Sequence, residues 1–164
     1  MEQSSIGFRE VLQRHCREMK PQKGVLVAYL LERKFEPKII ELVAKHFVLN
    51  TVMISGVDLE GEFCLLETLQ TKEGRDWVQQ GFLPIGTCPN GDRVVLDIQN
   101  QVGSVRYVCH ETDFDIESPD ASLIVASSLG EFAEKLEKRE IGSDFFQESC
   151  RSKQDNPNKI DSGD

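Results

Sequence analysis

Apolar positions change their spacing along the chain, and the changes mark its elements. Phe8, Val11, Leu12, Cys16 and Met19 recur at helical intervals opposite Arg9, Glu10, Arg14, Arg17 and Glu18, which predicts an amphipathic helix ending before Pro21. The run GVLVAYLLERKF from Gly24 suits a buried strand or a helix, and a strand is expected at its start. Pro37 suits the first position of the next helix, where its missing N–H costs nothing, and Ile40, Val43 and Phe47 supply the buried stripe. From Thr51 the spacing turns strand-like. TVMISGV and EFCLLETL flank Asp58-Leu59-Glu60-Gly61 and predict a β-hairpin.

The stretch WVQQGFLPIGTCPNGDRVVLD, from Trp77 to Asp97, joins two strands through a tight turn. Phe82, Leu83 and Ile85 form an apolar run interrupted by Pro84, which lacks a donor and so predicts an edge strand or the start of one. Cys88-Pro89-Asn90-Gly91 carries turn chemistry, with Gly91 free to take a positive φ. In the following strand Val94 and Leu96 should face one way and Val95 the other, both sides buried. Asp92 in the turn and Asp97 at the strand end suit acceptors of nearby backbone N–H groups. Val105, Tyr107 and Cys109 alternate with Arg106, Val108 and His110 after the Asn100–Gly103 turn, and Leu123 to Ala126 gives the last strand. Ser128 and Glu131 form a capping box before Leu129, Phe132, Ala133 and Leu136, and Glu131–Lys135 and Glu134–Lys138 are spaced to pair. Phe145-Phe146 should dock back on the body. The polar stretch from Arg151 is expected to be a disordered tail, residues 151–164, after a single domain over residues 1–150.

These elements predict an α+β domain: a mainly antiparallel, twisted β-sheet flanked by N-terminal helices and a C-terminal helix. A chain of 164 residues can bury about 70% of its unfolded surface without metals or disulfides. MEQSSIGFRE lacks a basic region followed by an apolar run, and VLVAYLL is far too short to cross a bilayer, so a cytoplasmic protein with no membrane association is expected. The five cysteines include no C-x-x-C pair, which points to reduced thiols rather than a disulfide framework or structural zinc.

The net charge of −9 is unevenly spread. Residues 1–48 carry nine Lys/Arg against six acids, residues 49–150 seven against nineteen, and residues 151–164 three against three. An acidic β-rich half disfavours nucleic acid and attracts a basic partner. ETDFDIESPD, from Glu111 to Asp120, holds five acids and no base. Its Asp113, Asp115 and Glu117 alternate like a calcium loop, but Ser118 and Ile124 stand where that loop needs Gly and Glu. It reads as a solvated connection, or as a contact loop in which Glu111, Asp113, Asp115 and Glu117 surround an anchoring Phe114. His15-Cys16 and Cys109-His110 are poor nucleophile pairs, because sequence neighbours diverge on helix and strand alike. His15, His46 and His110 lack metal-ligand spacing, and no phosphate loop, dinucleotide fingerprint or nucleophile elbow is present, so neither metal nor cofactor is expected.

Trp77, then Phe82 to Gly86 (FLPIG), the Gly91-Asp92 turn and the strand closing on Leu96-Asp97 resemble the SUKH superfamily, which includes the yeast cell-wall-assembly regulator and many bacterial toxin-immunity proteins. ASLIVASSLGEFAEKLEK, from Ala121 to Lys138, is similar to that family's last strand and closing helix. The resemblance makes Trp77, Phe82, Pro84, Gly86, Gly91, Asp92 and Asp97 structural signature residues. It implies a protein-binding module without catalytic residues, of immunity type, that blocks a toxin such as a nuclease or deaminase. The alternatives are a cytoplasmic regulator or scaffold of the same superfamily and an enzyme of unrecognised type.

Overall fold

The computed structural model describes residues 25–46, 51–112 and 121–154 of the chain. The expected first helix, residues 8–19, lies outside them, as do residues 155–164 of the expected tail. Six strands form one antiparallel sheet in chain order: β1 Val52–Ile54, β2 Val57–Leu59, β3 Phe82–Thr87, β4 Arg93–Asp97, β5 Val105–Val108 and β6 Ser122–Ala126. The described helices are α1 Val25–Glu32, α2 Pro37–His46, α3 Glu62–Gln70, α4 Lys72–Gln79, α5 Leu129–Glu137 and α6 Phe145–Gln154. Helices thus precede, interrupt and follow the sheet, and the architecture is α+β as expected.

Alternation along the central strands divides the interior in two. Val94 and Leu96 of β4 join Val105 and Tyr107 of β5 in a large core, together with Leu26 and Leu30, Ile39 and Val43, Leu65 and Leu69, and Phe132 and Leu136 from the helices. Val95 and Val108 face the opposite side, where Trp77 and Phe82 complete a small core with their rings edge-on, centroids 6.5 Å apart. The strand buried on both faces is therefore present as expected, and α4 supplies the tryptophan that covers its second face.

Two expected strands are helices. VLVAYLLE forms α1, burying Leu26 and Leu30 one turn apart, and EFCLLETLQ forms α3, burying Leu65 and Leu69 at the same interval. The hairpin expected around Asp58–Gly61 sits earlier, between β1 and β2. Ser55 (φ 51°) and Gly56 (φ 86°) make its two-residue turn, with both residues in the left-handed region that this tight connection needs.

Pro84 lies near the start of β3, as its third residue, on the part of the strand that β2 does not reach. β3 pairs with β2 on one side and β4 on the other, and its register with β4 slips between Pro84 and Gly86, making Ile85 the extra residue of a bulge. With β2 paired only to Gly86 and Thr87 and a bulge beside it, Pro84 sits where a missing donor breaks no β2–β3 ladder bond. The displaced Ile85 carbonyl accepts from Glu60 N–H at 2.8 Å.

Ser128 caps α5 by accepting from Glu131 N–H, and Leu129, Phe132, Ala133 and Leu136 form its buried face. The Glu131 carboxylate reaches back one residue further than a capping box requires, to the N–H and hydroxyl of Ser127. The two Glu–Lys pairs of this helix form at 3.0 and 2.8 Å. Phe145 packs against the large core whereas Phe146 is 71% exposed, and α6 carries the chain in helical form through Arg151 to Gln154.

Candidate functional site

The signature stretch folds into a closed loop with a carboxylate at its centre. Gly91 N–H donates to Cys88 C=O at 3.0 Å, Gly91 takes φ +98°, and Cys88 N–H donates to Asp92 C=O at 2.8 Å. Asn90 Oδ1 accepts from Asp92 N–H at 3.0 Å, the local turn that Asn favours. Asp92 is buried, and its carboxylate gathers donors from three separate segments. Oδ1 accepts from the backbone N–H of His110 at 2.9 Å and from His110 Nδ1 at 2.6 Å; Oδ2 accepts from Asn90 Nδ2 at 2.9 Å and from Phe145 N–H at 3.1 Å. Burial alone would raise the Asp92 carboxyl, but the bonds from His110, Asn90 and Phe145 together outweigh it and hold the group below its ordinary range.

Asp97 plays the same part at the other end of β4. It is fully buried, with Oδ1 accepting from Gln99 and Asn100 N–H, each at 2.9 Å, and Oδ2 from Gln101 N–H at 3.2 Å. Both signature carboxylates are thus committed to backbone, the role expected of them. Two further buried acids do likewise: Glu62 accepts from Leu26 N–H at 2.8 Å at the start of α1, and Asp144 caps Gln147 N–H at 2.8 Å.

An ionised Asp92 can only accept, so His110 Nδ1 carries the hydrogen and the free ring nitrogen is Nε2. The imidazole is 37% exposed. A carboxylate that fixes a histidine's tautomer also orients general bases, but such a base needs a nucleophile or substrate proton within reach. Among the described residues no hydroxyl or thiol is hydrogen-bonded to this ring. The thiol of the same loop, Cys88, is buried, and burial, then Asp92 and Asp144, push it far up and keep it protonated. Cys64, Cys88, Cys109 and Cys150 are free thiols. No group of three His, Cys, Asp or Glu among the described residues could hold a metal ion.

The remaining predicted residues divide plainly. Trp77, Phe82, Pro84 and Gly86 are buried framework. At Gly86 an added Cβ would stand 2.5 Å from Asp58 O, so the close β2–β3 approach requires glycine. Glu111 is exposed in the single 3₁₀ turn His110–Thr112, and Asp113, Phe114, Asp115 and Glu117 lie outside the described residues. Sequence reasoning missed the bond between Asp92 and His110 and the contribution of α6. The Asn90-Gly91-Asp92 turn announced a bound carboxylate, whereas nothing in the local pattern pointed to a partner 18 residues away.

The fold and the loop together define an α+β protein with an antiparallel meander and two structural aspartates, one just before β4 and one at its end. Compared with protein-family models and with curated proteins, the chain matches none. No described helix is long and apolar enough to cross a membrane.

Proposed function

We propose that the chain is a non-enzymatic protein-binding module of immunity type, which binds and neutralises a basic partner toxin. The observation that carries this reading is the division of labour among the carboxylates of residues 49–150. Those with the burial expected of catalytic groups, Asp92, Asp97, Glu62 and Asp144, are occupied by backbone N–H groups. Asp58, Glu67, Glu111 and Glu140 are exposed and form no ion pair among the described residues, so their field is available to a partner. The resemblance of Trp77–Asp97 and Ala121–Lys138 to the SUKH superfamily supports the same reading. Capture of a basic toxin by such a surface is steered by long-range attraction, which raises the association rate more than it strengthens the final complex.

The test is co-purification with the product of a toxin gene adjacent to this one, followed by stopped-flow association at rising ionic strength. An equimolar complex whose association rate falls steeply with salt is expected. A rate indifferent to salt, or no complex, would sink the proposal.

A further inference from the structure

Where α1 and α3 end against α4, an open groove of about 220 Å³ is lined by Tyr29, Arg33, Phe35, Leu69, Arg75 and Val78. Its floor is apolar: Leu69 belongs to the large core, and Tyr29, Phe35 and Val78 pack against that core while remaining partly open. Its rim is cationic. Arg33 holds its guanidinium carbon 5.2 Å from the centre of the Tyr29 ring, and Arg75 donates Nη1 to Gln70 C=O at 2.6 Å.

Among the described residues neither arginine has an acidic partner. The acids of α4 are already taken, Glu73 by Arg93 at 2.7 Å and Asp76 by Lys72 at 2.7 Å. Cations favour helix C-termini, which accounts for Arg33 just after α1 and for Arg75 of α4 against the last carbonyl of α3. That role uses little of what is there, because a guanidinium offers five N–H donors, and among the described residues Arg75 spends one and Arg33 none. In a chain of net charge −9, two oriented guanidiniums that no described acid neutralises, beside an apolar floor, are suited to one kind of ligand.

We propose that this groove docks an acidic segment of a partner protein, with one Leu or Phe side chain on the floor and flanking carboxylates on Arg33 and Arg75. The groove volume fits a single large apolar side chain, and the charge of the rim selects its neighbours. A basic toxin is repelled by the same rim, so this site is separate from the acidic surface and stands or falls independently of it.

The probes are short end-blocked peptides carrying one Leu or Phe between glutamates, with control peptides in which Gln replaces Glu or Ala replaces the apolar residue. Titration followed by heteronuclear NMR should move the amide signals of Arg33, Val78 and Gln79. Each control peptide should bind about tenfold more weakly or worse. Arg33→Ala should cause a similar loss with the fold intact, because the side chain is exposed and its contact with the Tyr29 ring lies at the surface. Arg75→Gln, monitored by circular dichroism, serves as the second variant. Equal binding of the Gln peptide, indifference to both arginine variants, or no shift at millimolar peptide overturns the proposal. So does phenylacetate binding as tightly as the peptide, since the groove would then be a small-molecule site.

Discussion

Asp92 shows how one carboxylate can tie a fold together. It joins the β3–β4 loop, the residues just after β5 and the first turn of α6. Asp92→Asn keeps the shape but exchanges one acceptor oxygen for a donor facing N–H groups, and we expect a loss of about 2–4 kcal/mol in denaturant unfolding at neutral pH. The folded group titrates below its ordinary value of 3.8, so its stabilisation is fully present above that pH and fades as pH falls through the lower folded value. The gap between wild type and variant should therefore narrow below about pH 3.8; a constant gap would show that the charge is not what matters. Gly86→Ala makes a purely steric counterpart, since its Cβ would meet Asp58 O and Leu59 Cδ2 at 2.5 and 3.2 Å. It should destabilise by about 2–4 kcal/mol at every pH, read from the shift in urea midpoint. The local half of this chemistry was legible beforehand: Asp97 binds N–H groups two to four residues ahead, which strand-end geometry alone suggests. The long-range half was not, because His110 and Phe145 reach Asp92 only once the sheet and α6 are assembled.

At the scale of elements, α5 carries the clearest local signal and a prediction of its own. The Ser127 hydroxyl and N–H, then Lys135, hold the Glu131 carboxyl down to about 2 from 4.5. Its stabilisation is accordingly complete above pH 4.5 and is lost as pH falls toward 2. The site is exposed, so Glu131→Gln should cost only about 0.5–1 kcal/mol after screening, and the difference from wild type should vanish near pH 2 in thermal melts. This helix could be read from its cap and its stripe because both signals are local. Helices α1 and α3 could not, since VLVAYLLE and EFCLLETLQ are apolar over most of their circumference or too short for a period to stand out. Tertiary contact decides there: the Glu62 carboxylate of α3 accepts from Leu26 N–H and so satisfies a donor at the start of α1. Pro84 marked the start of β3, ahead of the residues that β2 pairs, and what its sequence did not show was the bulge that follows it.

Across the whole molecule, charge is arranged by function as much as by count. Residues 49–150 hold twelve more acids than bases, but Asp92, Asp97, Glu62 and Asp144 are buried acceptors, and Glu73, Asp76, Glu131 and Glu134 are paired with basic side chains. Composition therefore gives the net charge that acts at long range but not which carboxylates a partner can reach, and the exposed Asp58, Glu67, Glu111 and Glu140 are among those open to it. These four positions are exposed and outside the core, so replacing one with lysine should alter stability by no more than about 0.5 kcal/mol. Their effect on a steered encounter should be larger, since each reversal changes the net charge by two and acts at long range. For Glu67→Lys and Glu111→Lys together, we expect the association rate with a basic partner to fall about tenfold at low salt. The dissociation rate should change much less, and the difference should collapse once the screening length drops to a few ångströms near 1 M salt. If the double variant instead accelerates dissociation at every ionic strength, these residues lie within the contact itself. If neither rate moves, the acidic surface serves solubility and the partner binds elsewhere.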